Sequence, residues 1–118
     1  MIELIITHTA RNVNSKSIQR EFVDLVNTTA ADFIIRQRIF GEKIPRYSHD
    51  FSQLIEFLLA QCEDMVDQKL ITTHDVIGDH RNNDVIAMDN GVVTILVKYQ
   101  QFNCLNITQI EFKIEVRD

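Results

Sequence analysis

The ligand-type residues of this chain concentrate in one stretch: His74, Asp75, Asp79 and His80. Imidazole and carboxylate side chains together could hold a zinc ion. Zinc sites, however, normally set two ligands at tight spacing such as H-x3-H and add a cysteine or a distant third ligand. Here the histidines stand at H-x5-H in a segment crowded with Asn and Asp, which reads as a solvated loop that binds no metal. His8 and His49 have no sequence partner and receive the same reading. Glu42, Glu56, Asp64 and Asp67 are the carboxylates that could work as an acid–base pair, a chemistry that needs two carboxyls held across a cleft. Three of them fall on the polar side of one amphipathic stretch, where acids are ordinary surface. The serines form no G-x-S-x-G elbow, and the three glycines build no phosphate-cradling loop. Cys62 and Cys104 are isolated, without C-x-x-C spacing, and read as a pair of reduced thiols. The sequence therefore predicts no catalytic residue, no cofactor and no metal.

The elements that carry these residues follow from periodicity. Residues 2–7, rich in Ile, read as a short strand. Asn14 or Ser15 can cap a helix whose apolar face is Ile18, Phe22, Leu25 and Val26, with Asn27-Thr28-Thr29 as its end. Residues 33–40 lean toward strand, and residues 41–47, with the single proline Pro45, form a loop. Phe51, Leu54, Ile55, Leu58, Leu59, Cys62, Met65, Val66 and Leu70 then trace one face of a second helix, capped by Asp50 with Gln53 reaching back. Residues 72–83 read as a polar connection. Asp89-Asn90-Gly91 predicts a type I′ hairpin turn, because both of its central residues need positive φ. That turn pairs residues 84–88 with residues 92–99, Met88 facing Val93 and Ile86 facing Ile95.

Ile110, Phe112, Ile114 and Val116 alternate with Glu111, Lys113, Glu115 and Arg117 in a final strand with one apolar and one polar face. The expected architecture is one α+β domain over residues 1–118. Two helices pack on a small, mainly antiparallel sheet that closes with a β-hairpin and a last strand. A small sheet has two edges, and the last strand is the candidate edge, either open to a partner's strand or protected by Lys113 and Arg117, which discourage pairing. Its candidate interface residues are Ile107, Gln109, Glu111, Lys113 and Glu115. On that expectation, proline at Glu111 or Lys113 blocks assembly while costing less stability than Phe112→Ala.

Bulk properties set the outer bounds. A chain of 118 residues, 45% hydrophobic and 25% charged, can bury a core without staples. A formal charge of −5 argues against a general nucleic-acid binder, although Arg36, Arg38, Lys43 and Arg46 stand close together. No apolar run approaches the ~20 residues of a membrane span. Glu3 stands where a signal peptide has basic residues, so the chain is expected to be made in a cytoplasm.

One stretch carries a resemblance. Gly41-Glu42-Lys43, Pro45 and the run from Asp50 and Phe51 through Leu54, Glu56 and Leu58 resemble the small, so-called lysozyme-like wedge family of contractile-tail baseplates. That family shows a Thr-rich helix end, a Gly-Glu/Ser-Arg turn, a proline, an acidic-Phe-Gly triplet, and a helix opening on Leu-x-x-x-Leu-Phe-Glu. Lys43 stands where Arg is usual and Ser52 where Gly is usual, and residues 30–39 are additional. The resemblance implies a structural, non-enzymatic subunit present in several copies of a phage tail. It would touch baseplate, hub or sheath subunits and exchange strands with the sheath. Another head–tail or tail connector, or a small intracellular protein-binding module, is the alternative reading.

Overall fold

The structure is a computed structural model that describes residues 3–117, with the side chain of His49 left aside. Met1 and Ile2, the latter part of the predicted first strand, lie outside the described residues. Four strands and three helices follow one another along the chain. They are β1 (Glu3–Arg11), α1 (Lys16–Phe40), a 3-10 turn (Ser48–Phe51), α2 (Ser52–Asp67), β2 (Ile71–Ile77), α3 (Val85–Asp89), β3 (Val92–Gln101) and β4 (Ile107–Arg117). The strands form one fully antiparallel sheet in the order β1-β4-β3-β2. Both long helices lie on one face, α1 toward β1 and α2 toward β2. The expected α+β layering is the one observed, and the 19 Å short axis matches a sheet plus one helix layer.

α1 starts where Ser15 caps it, its hydroxyl accepting from the Ile18 amide at 3.4 Å. It does not stop at the threonine pair. The Thr29 hydroxyl donates to the Leu25 carbonyl at 2.8 Å, so its polar group is satisfied inside the helix and the side chain is buried. The helix runs on through residues 33–40, which correct from strand-leaning to helical. Phe33 stands on the core side there and meets Phe51 edge-on at 6.0 Å. Gly41 ends the helix at φ 66°, its amide donating to the Gln37 carbonyl at 3.0 Å. Asp50 also has a local task, though not the expected one: its carboxylate accepts from the Arg46 and Tyr47 amides, each at 3.3 Å. Two of the residues carrying the family resemblance thus shape the connection between the helices.

The core is one cluster. Phe22, Val26, Leu54, Leu58, Cys62 and Met65 of the helices meet Val93, Ile95, Val97, Tyr99, Ile110, Phe112 and Ile114 of the sheet. Phe22 stacks on Tyr99 with ring centroids 5.2 Å apart. Burial pushes the Cys62 thiol from 9.0 up to about 12 and the Tyr99 phenol from 10.0 up to about 12. Both folded values lie above the unfolded ones, so these groups favour folding fully below pH 9. That contribution is lost as pH rises toward about 12. Stability measured by urea unfolding is therefore expected to fall between pH 9 and 12, and Tyr99→Phe should flatten the upper part of that decline. Cys62 and Cys104 stand as free thiols, the first buried and the second part-exposed. A thiol reagent at pH 8 should modify Cys104 in the native protein and reach Cys62 only after unfolding. Rapid reaction of both would contradict the packing around α2.

The stretch from residue 71 to residue 91 also differs from the sequence-based expectation. Residues 84–88 are not a hairpin strand: Asp84 caps α3, its carboxylate accepting from the Ile86 amide at 3.2 Å. Asn90 has φ −87° and only Gly91, at φ 81°, is left-handed, so a type I′ turn does not form. Gly91 serves a close approach instead. A Cβ there would stand 2.8 Å from the Val116 carbonyl oxygen, and the Val116 amide donates to the Gly91 carbonyl at 2.8 Å. The place beside β3 is taken by β2, most of which falls in the expected polar connection of residues 72–83. The C-terminal hairpin is β3 with β4, joined by residues 102–106.

Candidate functional site

The predicted ligand-type residues are not assembled into a site. His74 and Asp75 are neighbours on β2 and so point to opposite faces of the sheet, opposite Tyr99 and Lys98 respectively. Asp79 lies in the following turn and forks onto Arg81 at 3.0 to 3.2 Å, which draws its carboxyl down to about 2. Among the described residues no group of three or more His, Cys, Asp or Glu could hold a metal ion. Glu56, Asp64 and Asp67 are exposed on α2, where the Asp64 carboxylate accepts from the Gln68 side-chain amide at 2.7 Å. Of the basic residues, Arg36 pairs with Asp32 at 2.9 Å one helical turn away. No described helix is long and apolar enough to cross a membrane.

The predicted edge strand is not an edge. β4 is paired on both sides, with β1 from Glu3↔Arg117 to Arg11↔Gln109 and with β3 from Val92↔Glu115 to Gln100↔Ile107. Ile107, Gln109, Glu111, Lys113 and Glu115 therefore present side chains on the helix-free face of the sheet, while their main chain is used within the domain. The physical reason is the first strand. Its nine residues pair along nearly the whole of β4, and the sequence does not reveal that partner.

The real edges are β1 and β2, and they are finished differently. β2 has a register irregularity between Ile71 and Thr73, and it stops at Ile77. Beyond that point two asparagine side chains take over the pairing. The Thr94 amide donates to Asn83 Oδ1 at 2.7 Å, and the Thr94 carbonyl accepts from Asn83 Nδ2 at 2.9 Å and Asn82 Nδ2 at 3.1 Å. Short length, irregular register and side-chain plugging are among the means by which sheets blunt an edge. β1 has none of them. It is nine residues long with unbroken register, and among the described residues no strand pairs with its outer side.

Which groups β1 offers outward follows from the alternation of antiparallel pairing. Thr94 directs its main chain toward Asn83, on the β2 side, so its neighbours Val93 and Ile95 bond to β4. The β4 residues between Ile114, Phe112 and Ile110 then bond to β1, through Ile5, Thr7, Thr9 and Arg11. Leu4, Ile6, His8 and Ala10 are left, and their amides and carbonyls point to the open side. Their side chains stand on the helix-facing side of the sheet, opposite Val116, Ile114, Phe112 and Ile110.

α1 covers those side chains only in part. Two clefts run between β1 and the flank of α1. One is lined by Leu4, Ile6, Asn27, Ala30, Ala31 and Ile34, the other by His8, Lys16, Gln19, Arg20, Val23 and Asp24. Leu4 and Ile6 remain partly exposed and His8 is exposed. Unpaired main chain and a half-open apolar strip thus lie along the same border. No sequence signal identifies this border, because the alternation of Thr7, Thr9 and Arg11 with His8 and Ala10 marks the faces of the strand and not its neighbours. Compared with protein-family models, curated proteins and solved structures, the chain matches none.

Proposed function

We propose that this chain is a structural subunit of a multiprotein assembly, of the contractile-tail baseplate wedge kind that the sequence resemblance implies. It works through protein contacts and not through catalysis. The observation that supports the reading is the β1 border: nine residues of regular edge strand, unblunted, beside a groove that an added strand would fill. An isolated domain gains nothing from leaving such an edge open, because it invites uncontrolled pairing. In an assembly the same edge has an occupant. Strand addition draws on main-chain hydrogen bonds, and the groove decides which side chains are accepted alternately along the strand.

The baseplate reading is tested in the native setting. In lysates of cells that produce the protein, antibody detection across a sedimentation gradient should find it in large particles together with sheath and tube subunits. The purified chain alone should sediment as a species of about its own 13.7 kDa mass. Finding the native protein only as that small species would refute the structural-subunit reading. Finding it in particles without sheath or tube would leave a structural subunit but refute the contractile-tail assignment.

A further inference from the structure

We infer that the β1 edge accepts an extended partner segment running antiparallel to β1, with small apolar side chains beside Leu4 and Ile6 and an acidic side chain beside His8. This rests on the reading of β1 as the assembly edge and specifies what that edge selects. Antiparallel addition continues the pairing of the whole sheet, and such pairs are slightly more stable per residue than parallel ones. A strand laid along β1 would exchange main-chain hydrogen bonds with Leu4, Ile6, His8 and Ala10. Its alternate side chains would then point under the flank of α1.

The two halves of the groove differ in chemistry. Beside Leu4 and Ile6 the lining is Ala30, Ala31 and Ile34, which leaves room for a small apolar group and offers it little polar company. Beside His8 stand Lys16 and Arg20, and the one acid there is Asp24. Among the described residues neither Lys16 nor Arg20 takes part in an ion pair. On a chain of formal charge −5, this is a local reversal of sign. An incoming carboxylate satisfies it, and an incoming cation meets two like charges. The same chemistry argues against a second copy of this chain as the occupant. The inward-facing residues of β1 are Leu4, Ile6, His8 and Ala10, none of them acidic.

The test uses the full chain and a fluorescein-labelled peptide, Thr-Ser-Thr-Glu-Thr-Val-Thr-Val-Thr, titrated by fluorescence anisotropy at pH 7 and low salt. Replacing its Glu by Lys should weaken binding about fivefold or more, and Arg20→Glu in the protein should reverse that preference. His8→Pro removes an outward amide and should weaken binding about tenfold. Because His8→Pro could disturb folding, a peptide N-methylated at its Glu and both Val residues removes the same contacts from the partner's side. It should not bind. If N-methylation or His8→Pro abolishes binding but the Glu and Lys peptides bind equally, the charge selection is wrong while the edge reading stands. Binding that survives N-methylation, no binding of the parent peptide, or a dimer of the chain alone that is lost in His8→Pro would overturn the inference.

Discussion

Lys113→Pro is expected to unfold this protein or to bring it close to unfolding, despite replacing an exposed side chain in a polar position. Lys113 lies opposite Thr7 in the β1 ladder and opposite Thr94 in the β3 ladder. Thr94 turns its main chain toward Asn83, so the Lys113 amide and carbonyl serve β1. A proline there leaves the Thr7 carbonyl without its donor and forces a ring between two paired strands. The cost is on the order of 2–4 kcal/mol, a large part of what a domain of this size possesses. Urea unfolding should show the loss as a lower midpoint, and amide exchange should show the whole of β1 unprotected. Proline at His8, on the outward-facing side of β1, should cost about 1 kcal/mol or less. The contrast between the two substitutions measures the sheet order directly. If Lys113→Pro folds with near-parent stability, β4 is not a central strand and the edge assignment falls with it.

The sequence-based expectation placed that proline on an edge, and the reason it did so is instructive. The alternation of residues 110–117 reveals which face of a strand is buried and says nothing about what lies on either side of it. Strand neighbours are long-range facts: Leu4 meets Val116 across almost the whole chain. The helical stripe from Leu54 to Met65 was legible because helix hydrogen bonds are local and burial imposes a 3.6 period. The start of α1 at Ser15 was legible for the same reason. Its end was not, because Thr28-Thr29 looks like a terminus until one sees Thr29 bonded back to Leu25. Asn90-Gly91 misled because glycine serves two purposes, positive φ and close approach. Here the residues before the pair form a short helix capped by Asp84, and Gly91 lets the end of β4 pass. β2 escaped because its inward residues, His74 and Val76 followed by Ile77, do not form a clean apolar alternation. The location of the open border was not legible, since it depends on the sheet order.

Phe112→Ala is expected to cost about 3–5 kcal/mol, through lost burial and the cavity left between the sheet and the helix layer. Phe112 is fully buried in β4, facing Ile95 on one side and His8 on the other, with the His8 ring centroid 6.0 Å away. Its neighbours along the strand, Ile110 and Ile114, are equally buried and are held by their own ladder positions, so they cannot collapse into the gap. For a domain of this length the loss corresponds to roughly 10–25 °C in melting temperature. Phe112→Leu keeps most of the volume and should cost about 1–2 kcal/mol. The substitution also reaches the proposed assembly edge, because the inner face of β1 rests on this ring and on Ile114. Hydrogen exchange in Phe112→Ala should therefore speed up first in the β1–β4 ladder, at the amides of Ile5, Thr7, Thr9 and Arg11, because the outward amides of Leu4, Ile6, His8 and Ala10 have no strand partner to lose. If β1 stays protected while the helices open first, α1 and not β4 is what holds the edge in place. The groove would then owe its shape to the helix alone.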